Sequence, residues 1–151
     1  MSKILVTGGL GYIGSHTVVE LHKSGHEIVI IDDLSNSSLK VIEGINEITN
    51  SYINFVELDL KDFEKTKSFV KENKDIDGVI HFAASKAVGE RVEDPLKYYI
   101  NNISSLLNLL NPLKSLERKI NFIFSSSATV YGKPEILPVT ENESIKVAES
   151  P

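Results

Sequence analysis

Short apolar runs recur along the chain at regular intervals. Five of them are rich in Ile, Val and Phe: "KILVT" (3–7), "EIVIID" (27–32), "NFVELD" (54–59), "GVIHFA" (78–83) and "INFIFSS" (120–126). Runs of this length and composition, bounded by polar and turn-forming residues, are typical of buried β-strands. The pattern therefore predicts five strands.

Longer segments between these runs carry apolar residues at helical spacing, as in the series Ile13, Thr17 and Leu21. Strands that alternate with helices form βαβ units, which place helices on both faces of a parallel sheet. With right-handed crossovers, the prediction is an α/β fold: a doubly wound parallel sheet of the Rossmann type, with strand order 3-2-1-4-5.

The fourth connection is the longest of the series. Six leucines between residues 106 and 116 give it an apolar helical face, against which Tyr98 and Tyr99 are expected to pack. Pro112 lies inside this pattern, so a kinked or shortened helix is predicted. After Gly132 the periodicity stops, and a loop is expected.

Composition narrows the class of protein. At 151 residues, with 41% hydrophobic and 25% charged residues, the chain fits one globular domain with a core. A net charge of −5 argues against nucleic acid or a membrane surface as partner. There is no cysteine for disulfides, and the first apolar run is too short for a signal peptide or a membrane span. We therefore expect a cytoplasmic protein.

A glycine-rich stretch, "TGGLGYIGSH" (7–16), follows the first predicted strand and opens the first predicted helix. Gly8, Gly11 and Gly14 permit a tight turn and let backbone N–H groups approach a pyrophosphate. Asp32 ends the second strand, 18 residues after Gly14, where a carboxylate would accept ribose hydroxyls and repel a 2′-phosphate. NAD is therefore favoured over NADP. The alternative is a tight turn without a ligand, with Asp32 capping a loop.

Other polar residues give less specific signals. Asp59 ends the third strand, where it would either meet the adenine amino group or cap the next helix. The four histidines show no metal-ligand spacing with one another or with acids, so no metal site is predicted.

Several stretches together resemble one family. "VTGGLGYIGSHTVVEL", "IIDDLSNS", "HFAASKAVGE", "PLKYYINN" and "FIFSSSATVYG" are similar to the extended short-chain dehydrogenases/reductases, and more narrowly to the UDP-glucose 4-epimerases. The resemblance runs from Ser2 to the last residue. Ala128 and Thr129 stand where the related dehydratases usually carry an Asp-Glu pair, which favours an epimerase.

The resemblance implies roles for particular residues. Ser127 would hydrogen-bond the sugar 4-hydroxyl and assist its deprotonation. The implied NAD contacts are Gly8, Gly11, Tyr12, Ile13, Gly14, Asp32, Asp33, Leu34, Ser35, Asn36, Ser37, Asp59, Leu60, Phe82, Ala83, Ala84, Ser85, Lys86 and Asn101. It also implies UDP-glucose and UDP-galactose as substrates, interconverted by transient oxidation at C4, and a homodimer.

The base of that reaction is missing from this sequence. In the family it is a tyrosine within Y-x-x-x-K, whose lysine lowers the phenol pKa. No such pattern occurs here. Lys133 follows Tyr131 by two positions, a spacing at which the two side chains point in different directions. Tyr131 is therefore expected to be structural. In the family, a Ser-Pro like Ser150-Pro151 comes immediately before the catalytic tyrosine.

Two interpretations follow from the missing base. In the first, residues 1–151 are the truncated NAD-binding domain of an epimerase. The substrate domain would be absent, the sheet would be incomplete at its C-terminal side, and the edge of its last strand would be exposed. In the second, the chain is a natural binding module without catalysis. Another nucleotide-sugar epimerase or dehydratase of the same superfamily is the remaining alternative.

Overall fold

The computed structural model describes residues 1–85, 93–134 and 137–145. Its five strands are β1 (Lys3–Thr7), β2 (Glu27–Asp32), β3 (Asn54–Glu57), β4 (Gly78–His81) and β5 (Asn121–Phe124). All pairings are parallel, and the order is β3-β2-β1-β4-β5. The predicted fold class and strand order are confirmed.

Helices cover both faces of this sheet, because successive strand residues point to opposite sides. On one face, Leu5 belongs to a core cluster with residues of α3 (Phe63–Glu72) and α5 (Ser105–Lys114). On the other face, Val6 belongs to a cluster with residues of α1 (Tyr12–Lys23) and α2 (Leu39–Thr49).

Three strands end earlier than the apolar runs that predicted them. β3, β4 and β5 end at residues 57, 81 and 124, although backbone bonds continue one step further. The N–H of Phe82 donates to the Thr7 carbonyl, and the N–H of Ser125 donates to the His81 carbonyl. The remaining residues of each run therefore form loops at one edge of the sheet.

The connection from β4 to β5 contains a helix with an irregular middle. It begins as α4 (Pro95–Tyr98), passes through a π-helical segment (Tyr99–Ser104) and continues as α5. Tyr98 is buried as predicted, whereas Tyr99 is half exposed, so the packing prediction was wrong for Tyr99. Pro112 lies two residues before the end of α5, which limits its effect to the last turn.

Among the described residues, two apolar surfaces are exposed. Ile123 and Phe124 are more than half exposed on β5, the last strand of the sheet order. The helix of residues 95–114 exposes a second set, at spacings of four and three residues: Leu96, Ile100, Ile103, Leu107 and Leu110. Within the described ranges, no helix has both the length and the apolar character needed to cross a membrane.

Candidate functional site

The loops that follow the five strands meet at one edge of the sheet, which we call the carboxyl edge. In a parallel sheet with helices on both faces, this edge is where ligands bind. The predicted site residues from Gly8 to Ser85 lie at the end of β2 (Asp32), in the loops after β1, β2, β3 and β4, or at the start of α1, and Ser127 follows β5. Asn101 comes from the π-helical segment. Lys86 lies outside the described residues.

The glycine loop packs against the loop after β4. Gly8 has a φ of +66°, and its N–H donates to the Ile31 carbonyl at 2.7 Å. A Cβ added at Gly8 would lie 2.8 Å from the Ala83 backbone nitrogen, and one added at Gly14 would overlap the Gly8 carbonyl oxygen. The close approach of these backbones therefore requires glycine at both positions.

The start of α1 is open to solvent at this edge. Gly11 is the extended N-cap residue, no side chain caps the helix, and its first turn carries no acidic residue. Tyr12 and Ile13 are 82% and 53% exposed, although they are large apolar side chains. The unbonded N–H groups and the positive end of the helix dipole suit an anion such as a pyrophosphate.

Asp32 is buried and accepts hydrogen bonds from other groups of the protein. Its Oδ2 accepts the Leu10 N–H at 3.0 Å, while Oδ1 accepts the Leu34 N–H at 3.1 Å and the Ser37 hydroxyl at 2.7 Å. A carboxylate has about four acceptor positions. Asp32 therefore joins the glycine loop to the loop after β2 and keeps room for about one more donor, such as a ribose hydroxyl.

The rest of the loop after β2 is mostly exposed. Asp33 accepts both the N–H and the hydroxyl of Ser35, and Asn36 is exposed beside them. Leu34 has a φ of +59° and packs against the α1–α2 core cluster, which anchors the loop. The loop thus exposes its polar side chains to solvent while the Leu34 side chain holds it against the core.

The loop after β3 combines a half-buried acid with a buried leucine. Asp59 accepts the Lys61 N–H at 2.9 Å and lies 3.4 Å from the Lys61 ammonium. Asp62, not Asp59, caps α3, by accepting the Lys65 N–H. The alternative in which Asp59 caps that helix was therefore wrong. The Leu60 side chain is buried in the core, so only its backbone faces the edge.

The loop after β4 is held by two consecutive asparagines. Phe82 packs against one core cluster and Ala83 against the other, and Ala84 follows them. The Ser85 N–H donates to Asn102 Oδ1 at 2.8 Å, and Asn101 Nδ2 donates to the Ser85 hydroxyl at 2.9 Å. The sequence pointed to Asn101 only. Consecutive residues diverge on an α-helix, so nothing in the spacing indicated Asn102.

A histidine lies beneath the glycine loop. His81 Nδ1 and the Thr7 hydroxyl are 2.7 Å apart, and the ring stacks on Phe124 with centroids 5.9 Å apart. Burial lowers the pKa of His81 to about 4, so the imidazole is neutral at pH 7. His81 is therefore a structural polar group of the site.

Ser127 is exposed at the start of a 3₁₀ turn (Ala128–Tyr131). Its Oγ accepts the Thr129 N–H at 3.3 Å and the Thr129 hydroxyl at 2.9 Å. Gly132, with a φ of +60°, turns the chain between Tyr131 and Lys133. In the part of the chain that the structure describes, no three His, Asp or Glu side chains form a group able to hold a metal ion.

Comparison with known proteins places this site in a family. The family model described as GDP-mannose 4,6 dehydratase matches residues 5–151. The UDP-glucose 4-epimerase of Bacillus subtilis is 53% identical over 139 residues, 92% of this chain and 40% of that protein. One of Klebsiella pneumoniae is 46% identical over 93% of this chain and 99% of its own recorded length. The chain belongs to the UDP-glucose 4-epimerase family.

Solved structures of the UDP-glucose 4-epimerase family support this assignment. The Bifidobacterium longum UDP-glucose 4-epimerase, crystallised with NAD⁺ and UDP, has a TM-score of 0.89 and 43% identity. The match covers 96% of this chain and 43% of that one. The Stenotrophomonas maltophila enzyme, with bound NAD and formylated UDP-arabinopyranose, has a TM-score of 0.87 at 44% identity. The predicted resemblance to these epimerases is confirmed.

The chain spans about 40% of the length of curated epimerases such as the Bacillus subtilis enzyme. The matching family model is described by a dehydratase, whereas the relatives with 46–53% identity are epimerases. The two findings agree at the level of enzymes named for nucleotide sugars. Ala128 and Thr129 after Ser127 favour the epimerase side, as the sequence indicated.

Proposed function

We propose that this chain supplies the NAD-binding part of a UDP-glucose 4-epimerase, which interconverts UDP-glucose and UDP-galactose. The observation that carries the proposal is the carboxyl edge. At this edge, the start of α1 has no side-chain cap, and the backbone at Gly8 and Gly14 is packed too closely to admit a Cβ. The related epimerase with TM-score 0.89 was crystallised with NAD⁺ and UDP.

The residues at this edge fit a dinucleotide. The start of α1, with Gly11, Tyr12 and Ile13, would hold the pyrophosphate through backbone N–H groups. Asp32 would use its remaining acceptor position for the adenosine ribose, with the loop 33–37 beside it. Asp59 and the Leu60 backbone would contact the adenine. The loop of residues 82–85, together with Asn101, would lie along the remaining part of the dinucleotide. When bound, NAD supplies a reversible hydride acceptor for the sugar carbon.

Ser127 is preset to donate a hydrogen bond. Its oxygen already accepts two bonds, both from Thr129, which occupy the two lone pairs of a hydroxyl. Its own O–H is thereby left for another acceptor. We assign this donor to the sugar 4-oxygen, where it would stabilise negative charge as the 4-hydroxyl loses its proton.

The proton acceptor of this reaction is not among residues 1–151 under the proposal. No tyrosine here has a lysine four positions later, and the turn at Gly132 separates Tyr131 from Lys133. We expect the 151-residue chain alone to bind NAD without turnover, with the base and the substrate domain supplied by further sequence of an epimerase. If turnover were measured, Tyr131→Phe would identify or exclude Tyr131 as the base.

A second copy of the chain is the proposed protein partner. The exposed apolar positions on the helix of residues 95–114 alternate at spacings of four and three, a pattern that packs against another helix. A cytoplasmic location and the lack of nucleic-acid or membrane partners belong to the same proposal, and the net charge of −5 argues against such partners. Cell fractionation tests the location, and sedimentation tests the association of two copies.

Substrate assays test the proposed activity. The protein as its gene encodes it would be incubated with UDP-galactose, UDP-N-acetylgalactosamine, UDP-glucuronate and dTDP-glucose, and the products would be identified. We expect UDP-galactose to give UDP-glucose fastest. Ser127→Ala should lower kcat about 100-fold, and Lys40→Ala, an exposed change on α2, is the control. Unchanged kcat in Ser127→Ala would contradict the role given to Ser127.

A broader substrate range is the second candidate. The UDP-Glc/GlcNAc 4-epimerase of Campylobacter jejuni is 41% identical, with a TM-score of 0.85 over 97% of this chain. Comparable rates on UDP-galactose and UDP-N-acetylgalactosamine would favour that specificity. NAD binding without turnover of any nucleotide sugar would instead favour a non-catalytic binding module.

A further inference from the structure

The helix of residues 95–114 grips the loop after β4 through a side-chain amide. Asn102 Oδ1 accepts the Ser85 N–H at 2.8 Å, and Asn102 Nδ2 donates to the Ser85 carbonyl at 3.0 Å. Because both bonds end on one backbone residue, they fix the N–H and the carbonyl of Ser85. Asn101 Nδ2 donates to Asn102 Oδ1 at 3.0 Å, which orients the Asn102 amide.

The same helix also hydrogen-bonds to the backbone of the loop after β3 through a side-chain amide. Asn108 Nδ2 donates to the Leu60 carbonyl at 2.9 Å and to the Lys61 carbonyl at 3.0 Å. The two hydrogens of one amide thus serve two successive carbonyls. One helix therefore sets the positions of two loops of the carboxyl edge.

The π-helical segment explains why neighbouring residues share a target. On an α-helix, consecutive side chains point about 100° apart, because each turn holds 3.6 residues. A π-helical turn closes its bonds one residue later, so consecutive side chains diverge less. Asn101 and Asn102 lie in this segment, and both reach Ser85. Such turns are rare and are frequently found at functional sites.

We propose that Asn102 and Asn108 are positioning residues for opposite halves of the cofactor. Asn102 acts through Ser85 on the nicotinamide half, and Asn108 acts through Leu60 on the adenine half. Neither side chain touches the cofactor in this account, since each fixes a loop backbone that does. The inference rests on the NAD site of the proposed function.

Three matched variants test it: Asn102→Asp, Asn108→Asp and the control Asn111→Asp. Each replaces an amide by an isosteric carboxylate on one helix, so the added charge is the same, but Asn111 is exposed and holds neither loop. Affinities of the 151-residue chain for NAD and for ADP-ribose, which lacks nicotinamide, would be measured by calorimetry. The thermal midpoint of each variant would be recorded beside them.

We expect Asn102→Asp to weaken NAD roughly tenfold while changing ADP-ribose affinity much less. Asn108→Asp should weaken both ligands by one common factor of similar size, and Asn111→Asp should change neither. Equal losses of NAD and ADP-ribose affinity in Asn102→Asp would overturn the assignment of halves. Affinities like those of Asn111→Asp in both variants would overturn the whole inference.

A measurement without ligand keeps the test valid if a carboxylate variant does not fold. The Ser85 amide should exchange slowly in the unaltered chain and faster in Asn102→Ala, while the Leu5 amide of β1 stays slow in both. Fast exchange at Ser85 in the unaltered chain would contradict the Asn102 bond itself. Failure of the unaltered chain to bind NAD would instead contradict the proposed function, and the inference with it.

Discussion

At the scale of single residues, the buried polar groups beneath the site are hydrogen-bonded to other groups of the protein. The Asp32 carboxylate accepts three protein donors, and His81 shares its Nδ1 with the Thr7 hydroxyl. Satisfied buried polar groups hold a unique geometry, and removing one partner exposes the other to a desolvation cost. These bonds within the protein therefore fix the geometry of the residues beneath the site.

The stability of the chain should depend on His81 in a defined pH window. Its pKa falls from the ordinary 6.5 to about 4 in the folded chain. Between these values the unfolded state binds a proton that the folded state does not, so the free energy of unfolding falls as pH drops from 6.5 to 4. The loss attributable to His81 is at most about 3 kcal/mol.

Urea unfolding at pH 7, 5.5 and 4.5 checks this prediction. The pH slope should diminish in His81→Gln, which cannot titrate, and persist in His16→Gln, which changes an exposed histidine. Equal slopes in the unaltered chain and in His81→Gln would show that His81 is not the group responsible.

Sequence reasoning found the residues whose position along the chain defines them. The glycines and Asp32 follow strands at a recognisable spacing, and the structure places them at one edge. It missed the bond from Leu10 to Asp32, the Thr7–His81 pair and the role of Asn102, because each of these contacts joins residues far apart in the chain that only the folded sheet brings together. Ser127 followed from resemblance, while its bonds to Thr129 did not.

At the scale of elements, the glycine loop is the most constrained turn of the fold. Gly14 lies in the first turn of α1 against the Gly8 carbonyl. Gly14→Ala should therefore lower the free energy of unfolding by about 2 kcal/mol or more, because backbone must move to accept a methyl group. It should also weaken NAD binding.

Gly44→Ala is the matched control for this change. Gly44 is also helical, in α2, but a Cβ there meets no atom within 4 Å. Alanine should then raise the free energy of unfolding by up to about 1 kcal/mol, from helix propensity alone. Chemical denaturation of both variants measures the difference, and equal effects of the two substitutions would refute the packing argument.

The alternation of elements was enough to predict the sheet order, since chain connectivity and crossover handedness leave few topologies. The ends of β3, β4 and β5 were predicted too far along the chain, because their apolar character continues into loops that pack on the core. The π-helical segment had no signal, since its residues are compatible with an ordinary helix. Asp62 rather than Asp59 caps α3 because it is the residue directly before Phe63.

At the scale of the whole molecule, the exposed apolar face on the helix of residues 95–114 should drive association. Leu107 is 57% exposed there, and Leu39 is 51% exposed on α2. Leu107→Lys should shift the chain from dimer to monomer in sedimentation velocity, because a charge in an apolar helix interface is poorly solvated. Leu39→Lys should leave the dimer intact.

The exposed edge of β5 offers a competing route to association, since its unpaired backbone groups can pair with another chain. Ile123→Thr distinguishes the two routes, because it reduces the apolar surface of β5 and leaves the helix unchanged. A monomer at all concentrations, or dissociation in Ile123→Thr alone, would contradict the helix-mediated dimer. The domain boundaries, the roles of the site residues, the dimer, the cytoplasmic location and the absence of nucleic-acid or membrane partners stay predictions.

The central claim is that residues 1–151 form an NAD site, and calorimetric titration of this chain with NAD and with NADP tests it most directly. We predict one NAD bound per chain and at least tenfold weaker binding of NADP, since a 2′-phosphate would face the Asp32 carboxylate in a buried setting. No heat of binding with NAD, or equal affinity for the two dinucleotides, would contradict the account.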